Sequence, residues 1–330
     1  MGALADRDSE AEEGIYLSMS LTATLAESNK LSDVDRSEFQ DRANAFFAKF
    51  PNSKIIRKGE FREDATAEDL LAQLKQLAGI TEDREAFRTR IENQLQQGLT
   101  IVPFSWRPQL ILSAAHDVVH LWEIAKTSGV DDRKFHLSMI SDVNWSPPAA
   151  ASLRDRTPLM DITALMVLFD LGLIDKVVEF FGRVAIAKST LETLATLVNP
   201  FSGSPLRSKC LSLQNALKPH YANVTQPSVA DLPDEGEDGE TEAVGREHKE
   251  IIRLCKEPRG HYRLYSDDLA FRVLCSGGHP SEGICTLDVL AGLAQVGSLS
   301  RREVAAKIAT LCAWRVGLVV RYEDLVSLIP

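Results

Sequence analysis

The hydrophobic rhythm of this chain changes near its middle. In the first half, apolar residues recur at helical spacing: Ile15, Leu17, Leu21 and Leu25, then Phe39, Ala43, Phe46, Phe47 and Phe50. Apolar positions three and four apart line one face of a helix. Residues 9–29 and 32–50 therefore read as helices, the second stopped by Pro51-Asn52. A weak alternation over 54–61 predicts a short strand. Helices are expected over 65–77, with Thr66 as a candidate N-cap, and over 83–97. A strand over 99–104 and a helix over 108–125 complete this half. Residues 141–156, SDVNWSPPAAASLRDR, break the pattern around Pro147-Pro148, and the expected domain boundary falls there, between residues 145 and 146.

Beyond residue 157, short apolar runs alternate with helical patterns. Strands are expected at 157–160, 183–187, 261–265 and 283–286, with a candidate edge strand at 317–320. The stretches between them carry helical periodicity. Such alternation implies a parallel sheet covered by helices on both faces. An insertion at about 200–258 interrupts it, with helix-like pieces at 204–217 and 245–255. Within the insertion, residues 226–242 hold seven acids and no base, a composition that buries too little apolar surface to fold alone. The expected fold class is α/β, a parallel sheet flanked by helices over 146–330, preceded by a mainly helical domain over 1–145.

Composition narrows the function classes. The 330 residues carry a net charge of −10 with pI near 5.3, which disfavours a dedicated nucleic-acid binder with its usual basic face. No run approaches the roughly 20 apolar residues of a membrane span. The acidic start MGALADRDSEAEEG lacks a signal-peptide core, so no membrane partner and a cytoplasmic location are expected. Five widely spaced cysteines without a CxxC pair read as reduced thiols. No P-loop, GxGxxG or GxSxG is present. His116 and His120 stand one helical turn apart, but without the Glu of HExxH or a third ligand they read as structural histidines.

Carboxylates carry the remaining candidate chemistry. Asp161 closes the first strand, two residues before Thr163. Glu192 lies on the helix after the second strand, Asp267 and Asp268 follow the third, and Asp288 follows the fourth. In open α/β sheets, ligands bind outside the carboxyl ends of the strands. Hard divalent cations take oxygen ligands there and lower the pKa of a bound water. Each acid also has a structural alternative. Asp161 and Asp288 suit helix N-caps, Glu192 suits a solvated helix face, and Asp267 and Asp268 suit a first helical turn, where the helix dipole favours acids.

The order and spacing of these acids resemble the PIN domain, a compact α/β nuclease module, over about 157–330. Its opening Asp-x-Ser/Thr corresponds to Asp161-Ile162-Thr163, and its helical glutamate to Glu192. Its third acid corresponds to Asp267, within an Asp-acid-x-x-x-Arg pattern of one bacterial branch formed here with Asp268 and Arg272. A fourth corresponds to Asp288 in Thr286-Leu287-Asp288, and Gly297-Ser298-Leu299 looks like the end of that branch's core. The resemblance implies Mg²⁺ or Mn²⁺ held by Asp161, Glu192, Asp267 and Asp288, with Thr163 orienting Asp161 or a metal-bound water. It further implies an endoribonuclease that hydrolyses RNA phosphodiester bonds through that water. The alternative is a catalytically inactive PIN-like regulatory or protein-interaction module of a larger assembly, docking through the helical first half. A DNA-directed flap-processing nuclease would need more acids and a helical arch that the sequence lacks. Oligomeric state is left open.

Overall fold

The chain divides into two units between Ala86 and Phe87, well before the boundary expected at 145/146. The reason lies in the core: Phe104, Leu121 and Trp122, all fully buried, share one apolar cluster with Leu165, Ile186 and Leu293. Phe104, Leu121 and Trp122 therefore fold with the sheet. The computed structural model describes residues 7–10, 13–14, 16–17, 33–51, 53, 66, 82–98, 102–110, 117–127, 133–140, 142, 145–199, 206–229, 246–256, 261–276 and 282–320. The strand expected at 54–61, nearly all of the helix at 65–77 and His116 fall outside them.

In the first unit, helix α1 (Asp33–Lys49) carries Arg42, whose guanidinium pairs with Glu13 at 2.5 and 2.6 Å and lies 3.8 Å from the Tyr16 ring centre. Phe46 is buried and contacts Phe47 and Phe50 edge-on or tilted. Helix α2 (Glu82–Gln97) runs across the division.

The second unit begins irregularly. Where a strand was expected, Pro103 precedes a 3-10 turn, Phe104–Trp106, that leads into the short helix α3 (Arg107–Leu110). A proline cannot donate to a ladder, which favours the turn. Helices α4 (Val118–Thr127) and α5 (Ala150–Leu153) precede the first strand, β1 (Thr157–Met160). Then come α6 (Ile162–Leu171), α7 (Ile174–Phe181), β2 (Val184–Ile186) and α8 (Lys188–Val198). Gly172, at φ 64°, ends α6 in the left-handed conformation that glycine adopts without a Cβ penalty.

The insertion belongs to the sheet. It contributes α9 (Arg207–Leu217), the two-residue strand β3 (Val224–Thr225) and α10 (Arg246–Lys256). Strand β4 (Tyr262–Tyr265), α11 (Leu269–Cys275), α12 (Thr286–Gln295) and α13 (Arg301–Ala313) follow. The strand order is β3-β2-β1-β4, all parallel. The fourth expected strand is reduced to one bridge, Tyr265 to Ile284, and the fifth to a bridge between Gly317 and Ser138.

Alternate strand residues point to opposite faces. Leu159, Ala185 and Leu264 pack with Ile251, Leu254 and Phe271. Met160, Val184, Ile186 and Tyr265 face the larger core under α6, α7 and α12. Both faces are thus covered, and the residues that follow β1 and β4 at the carboxyl end are buried as well. Among the described residues no helix is long and apolar enough to cross a membrane.

Candidate functional site at the carboxyl ends of the strands

Strands β1 and β4 lie side by side with Met160 opposite Tyr265, so the residues that follow them meet. Asp161 caps α6, accepting from Ala164 N at 2.9 Å. It also accepts from Thr163 Oγ1 at 2.8 and 2.9 Å and from Ser266 Oγ at 2.6 Å. The Asp267 amide donates to Thr163 Oγ1 at 3.2 Å. Both Asp267 oxygens accept from Thr286, one from its amide and one from its hydroxyl, each at 2.6 Å. Asp268 caps α11 through Ala270 N at 3.0 Å, and its amide donates to Ser266 Oγ at 3.1 Å. The Phe104 amide donates to the other oxygen of Asp268. A continuous hydrogen-bonded chain therefore runs from Asp161 through Ser266 and Asp268 to Phe104.

These carboxylates are nearly inaccessible: Asp161 and Asp268 are 2% exposed and Asp267 0%. Burial disfavours their charged forms. It pushes Asp161 up to about 6 against the hydrogen bonds from Ala164, Ser266 and Thr163, and Asp267 up to about 7 against those from Thr286. Asp268 is also raised by burial, opposed by the Arg107 charge. Arg272 donates to the carbonyls of Ser266 and Met139. It is packed so closely that a Cβ on Gly283 would lie 2.7 Å from its Cδ.

The β2 side of the crevice is built differently. Ala187 stands at the N-cap of α8 with no side chain to offer. Glu250 of α10 replaces it, one oxygen accepting from the Ser189 amide at 2.9 Å and from its hydroxyl, the other from Val229 N at 3.0 Å. Two residues earlier on α10, His248 Nε2 lies 2.6 Å from Ser105 Oγ and 3.5 Å from Glu247. Thr193 hydrogen-bonds Glu247, yet burial pushes that carboxyl up to about 7. Burial lowers His248 to about 3. Glu247 Oε2, His248 Nδ1, Trp106 Nε1 and Thr190 Oγ1 are buried with no hydrogen-bond partner.

The four expected metal ligands do not converge. Asp161 and Asp267 are joined through Thr163, and Asp268 stands beside them. Glu192 is half-exposed on α8 and faces Lys188 at 3.6 Å, because the face of α8 that turns inward is that of Ser189, Thr190 and Leu194. Asp288 is the third residue of α12 and forms a capping box with Cys285, accepting from its amide at 2.9 Å and from Trp145 Nε1 at 3.0 Å. Among the described residues no group of three His, Cys, Asp or Glu side chains is placed to hold a metal ion. Mg²⁺ dehydrates reluctantly and keeps several waters. Carboxylates at 0–2% exposure, already engaged by Thr286, Ser266 and Thr163, do not fit it in this arrangement.

Compared with known proteins, the chain matches no family model, no curated protein and no solved structure. The site therefore stands on its own geometry. Several of its residues, Ser105, Glu247, Glu250, Ser266 and Thr286, were missed as site residues by sequence reasoning. One signal for two of them lies in α10, where Glu247 and Glu250 share the helical stripe of Ile251 and Leu254. Acids on the apolar stripe of a helix are bound for the interior.

Proposed function

We propose that the α/β unit is a PIN-like domain that keeps the scaffold without the metal chemistry, acting as a regulatory or protein-interaction module of a larger assembly. One observation carries this reading: Asp161 and Asp267 are shut away from solvent with their oxygens engaged by the chain's own donors. A hydrated divalent cation needs carboxylate oxygens open toward water. The net charge of −10 also favours a protein partner over RNA, since phosphate-binding surfaces are normally basic. The metal-dependent endoribonuclease reading retains one support, the arrival of Asp161 and Asp267 at adjacent strand ends linked by Thr163.

A thermal-shift titration with Mn²⁺ and with EDTA separates the two, run beside an RNA-cleavage assay on the wild type and Asp161→Asn. Asparagine still caps a helix, so the variant tests chemistry without removing the cap. The expected outcome is a Tm unmoved by either reagent and no metal-dependent cleavage. Stabilisation by Mn²⁺ together with cleavage, both lost in Asp161→Asn, would establish the nuclease and sink the non-catalytic reading, because a ligand bound only by the native state must raise Tm.

A further inference from the structure

The crevice is closed by the chain itself. Residues 102–106 lie across the strand ends, with Phe104 fully buried and its amide on Asp268. Ser105 Oγ meets His248 at 2.6 Å, and the Trp106 ring stands edge-on to the His248 ring at 5.7 Å. Arg107 ties both ends of this segment into a loop, donating to the carbonyls of Lys134 and His136 at 3.0 and 2.7 Å and, at its start, to Val102 O at 3.1 and 3.2 Å.

The seal is uneven. On the Phe104 side every polar group named has a partner. On the α10 side Trp106 Nε1, His248 Nδ1 and Glu247 Oε2 are buried without one. Native interiors leave few such atoms, and each that exists calls for a reason. Trp106 Nε1 and the His248 ring beside it would regain water if residues 102–106 swung away, so desolvation of this face opposes closure while burial of Phe104 favours it. Opposed terms of this kind are what a two-state element needs.

We propose that residues 102–106 form a displaceable intramolecular plug, hinged at Arg107, that seals the carboxyl-end crevice over Asp161, Asp267 and Asp268. The proposal rests on the reading of this crevice as the functional end of the domain. Opening releases the Phe104 amide from Asp268 and Ser105 from His248 and leaves the sheet intact. The plug is a minority-state device: the closed form dominates, and a partner that takes the place of Phe104 shifts the balance.

Amide hydrogen exchange on the full chain tests it. The amides of Phe104 and Ser105 should exchange about tenfold or more faster than those of Leu159 and Met160 in β1, and with a weaker denaturant dependence, as an opening smaller than global unfolding does. Trp106→Ala should raise the plug rates by about tenfold again and leave the β1 rates unchanged. The pair Ser105→Ala with His248→Leu removes both members of a bond and the orphan nitrogen together, and should slow the plug amides. Plug amides that exchange at the β1 rates, with the β1 denaturant dependence, in the wild type and both variants would overturn the proposal, since the segment would then be a permanent part of the core. A plug that opens in a protein indifferent to Mn²⁺ supports this proposal and the non-catalytic reading together. A plug that opens in a protein stabilised by Mn²⁺ supports this proposal and overturns that reading.

Discussion

Two halves of one crevice treat buried polarity in opposite ways. Around β1 and β4, Asp161, Asp267 and Asp268 are each matched by donors from Thr163, Ser266, Thr286 and Phe104. Around α8 and α10, Glu247, His248 and Thr190 are also buried yet hold orphan atoms. A complete hydrogen-bond network rigidifies, whereas a partly satisfied one marks where a structure changes or awaits something. Acid content therefore does not distinguish a ligand site from a structural one here. The state of the lone pairs does.

That contrast is open to attack. The largest effect is expected from pH. Asp161, Asp267 and Glu247 sit at about 6, 7 and 7 in the fold, against ordinary values of 3.8, 3.8 and 4.5. Their raised values mean that the fold prefers the protonated forms. The stability they contribute is fully present below about pH 4 and is lost as the pH rises through their folded values. His248, lowered to about 3 from 6.5, works in reverse and loses its contribution as the pH falls below its ordinary value. Three carboxyls outweigh one imidazole over most of the range, so the urea midpoint should rise from about pH 8 to about pH 5. Glu247→Gln should flatten the rise. A midpoint that instead declines on acidification would mean that the crevice is wet and its acids charged.

Next in size is a matched pair of substitutions. Thr286→Val removes a hydroxyl bonded to Asp267 at 2.6 Å, and should cost about 1–3 kcal/mol, because it leaves a buried carboxyl oxygen without its partner. Thr190→Val removes a hydroxyl with no partner, and should lie between neutral and about 1 kcal/mol stabilising, because an unpaired buried hydroxyl is a liability. Equal losses in chemical denaturation would erase the distinction between the two halves. The smallest effect belongs to Glu192→Ala. A half-exposed residue whose partner is Lys188 at 3.6 Å should change stability by less than about 0.5 kcal/mol.

Much of the sheet was legible in the sequence. Leu159-Met160, Val184-Ala185-Ile186 and Leu264-Tyr265 are apolar runs bounded by polar turns, and they form the adjacent parallel strands. Strand β3 was not legible, because Val224-Thr225 is too short for its alternation to register and follows a helical pattern. The contacts joining Trp122 to Asp170 and Phe104 to Asp268 were not legible either, because Pro147-Pro148 marks a turn between residues that pack together only in space. At the site, spacing placed Asp161 and Asp267 at neighbouring strand ends. It could not anticipate that Thr286 would occupy both oxygens of Asp267, since that depends on how α12 docks.

The cap that Glu250 lends to α8 bears on how the chain assembles. The Ser189 amide and the carboxylate that receives it are 61 residues apart. Domains fold as their residues emerge during synthesis, amino-terminal parts first. Helix α8 therefore leaves the ribosome with its first turn unclosed, and a long loop must be ordered before that turn is secured. Until α10 arrives the start of α8 lacks its cap, and the same helix brings Glu247 and His248 along with it. The β1 and β4 side of the crevice closes later still, when Ser266 reaches Asp161 and Thr286 reaches Asp267.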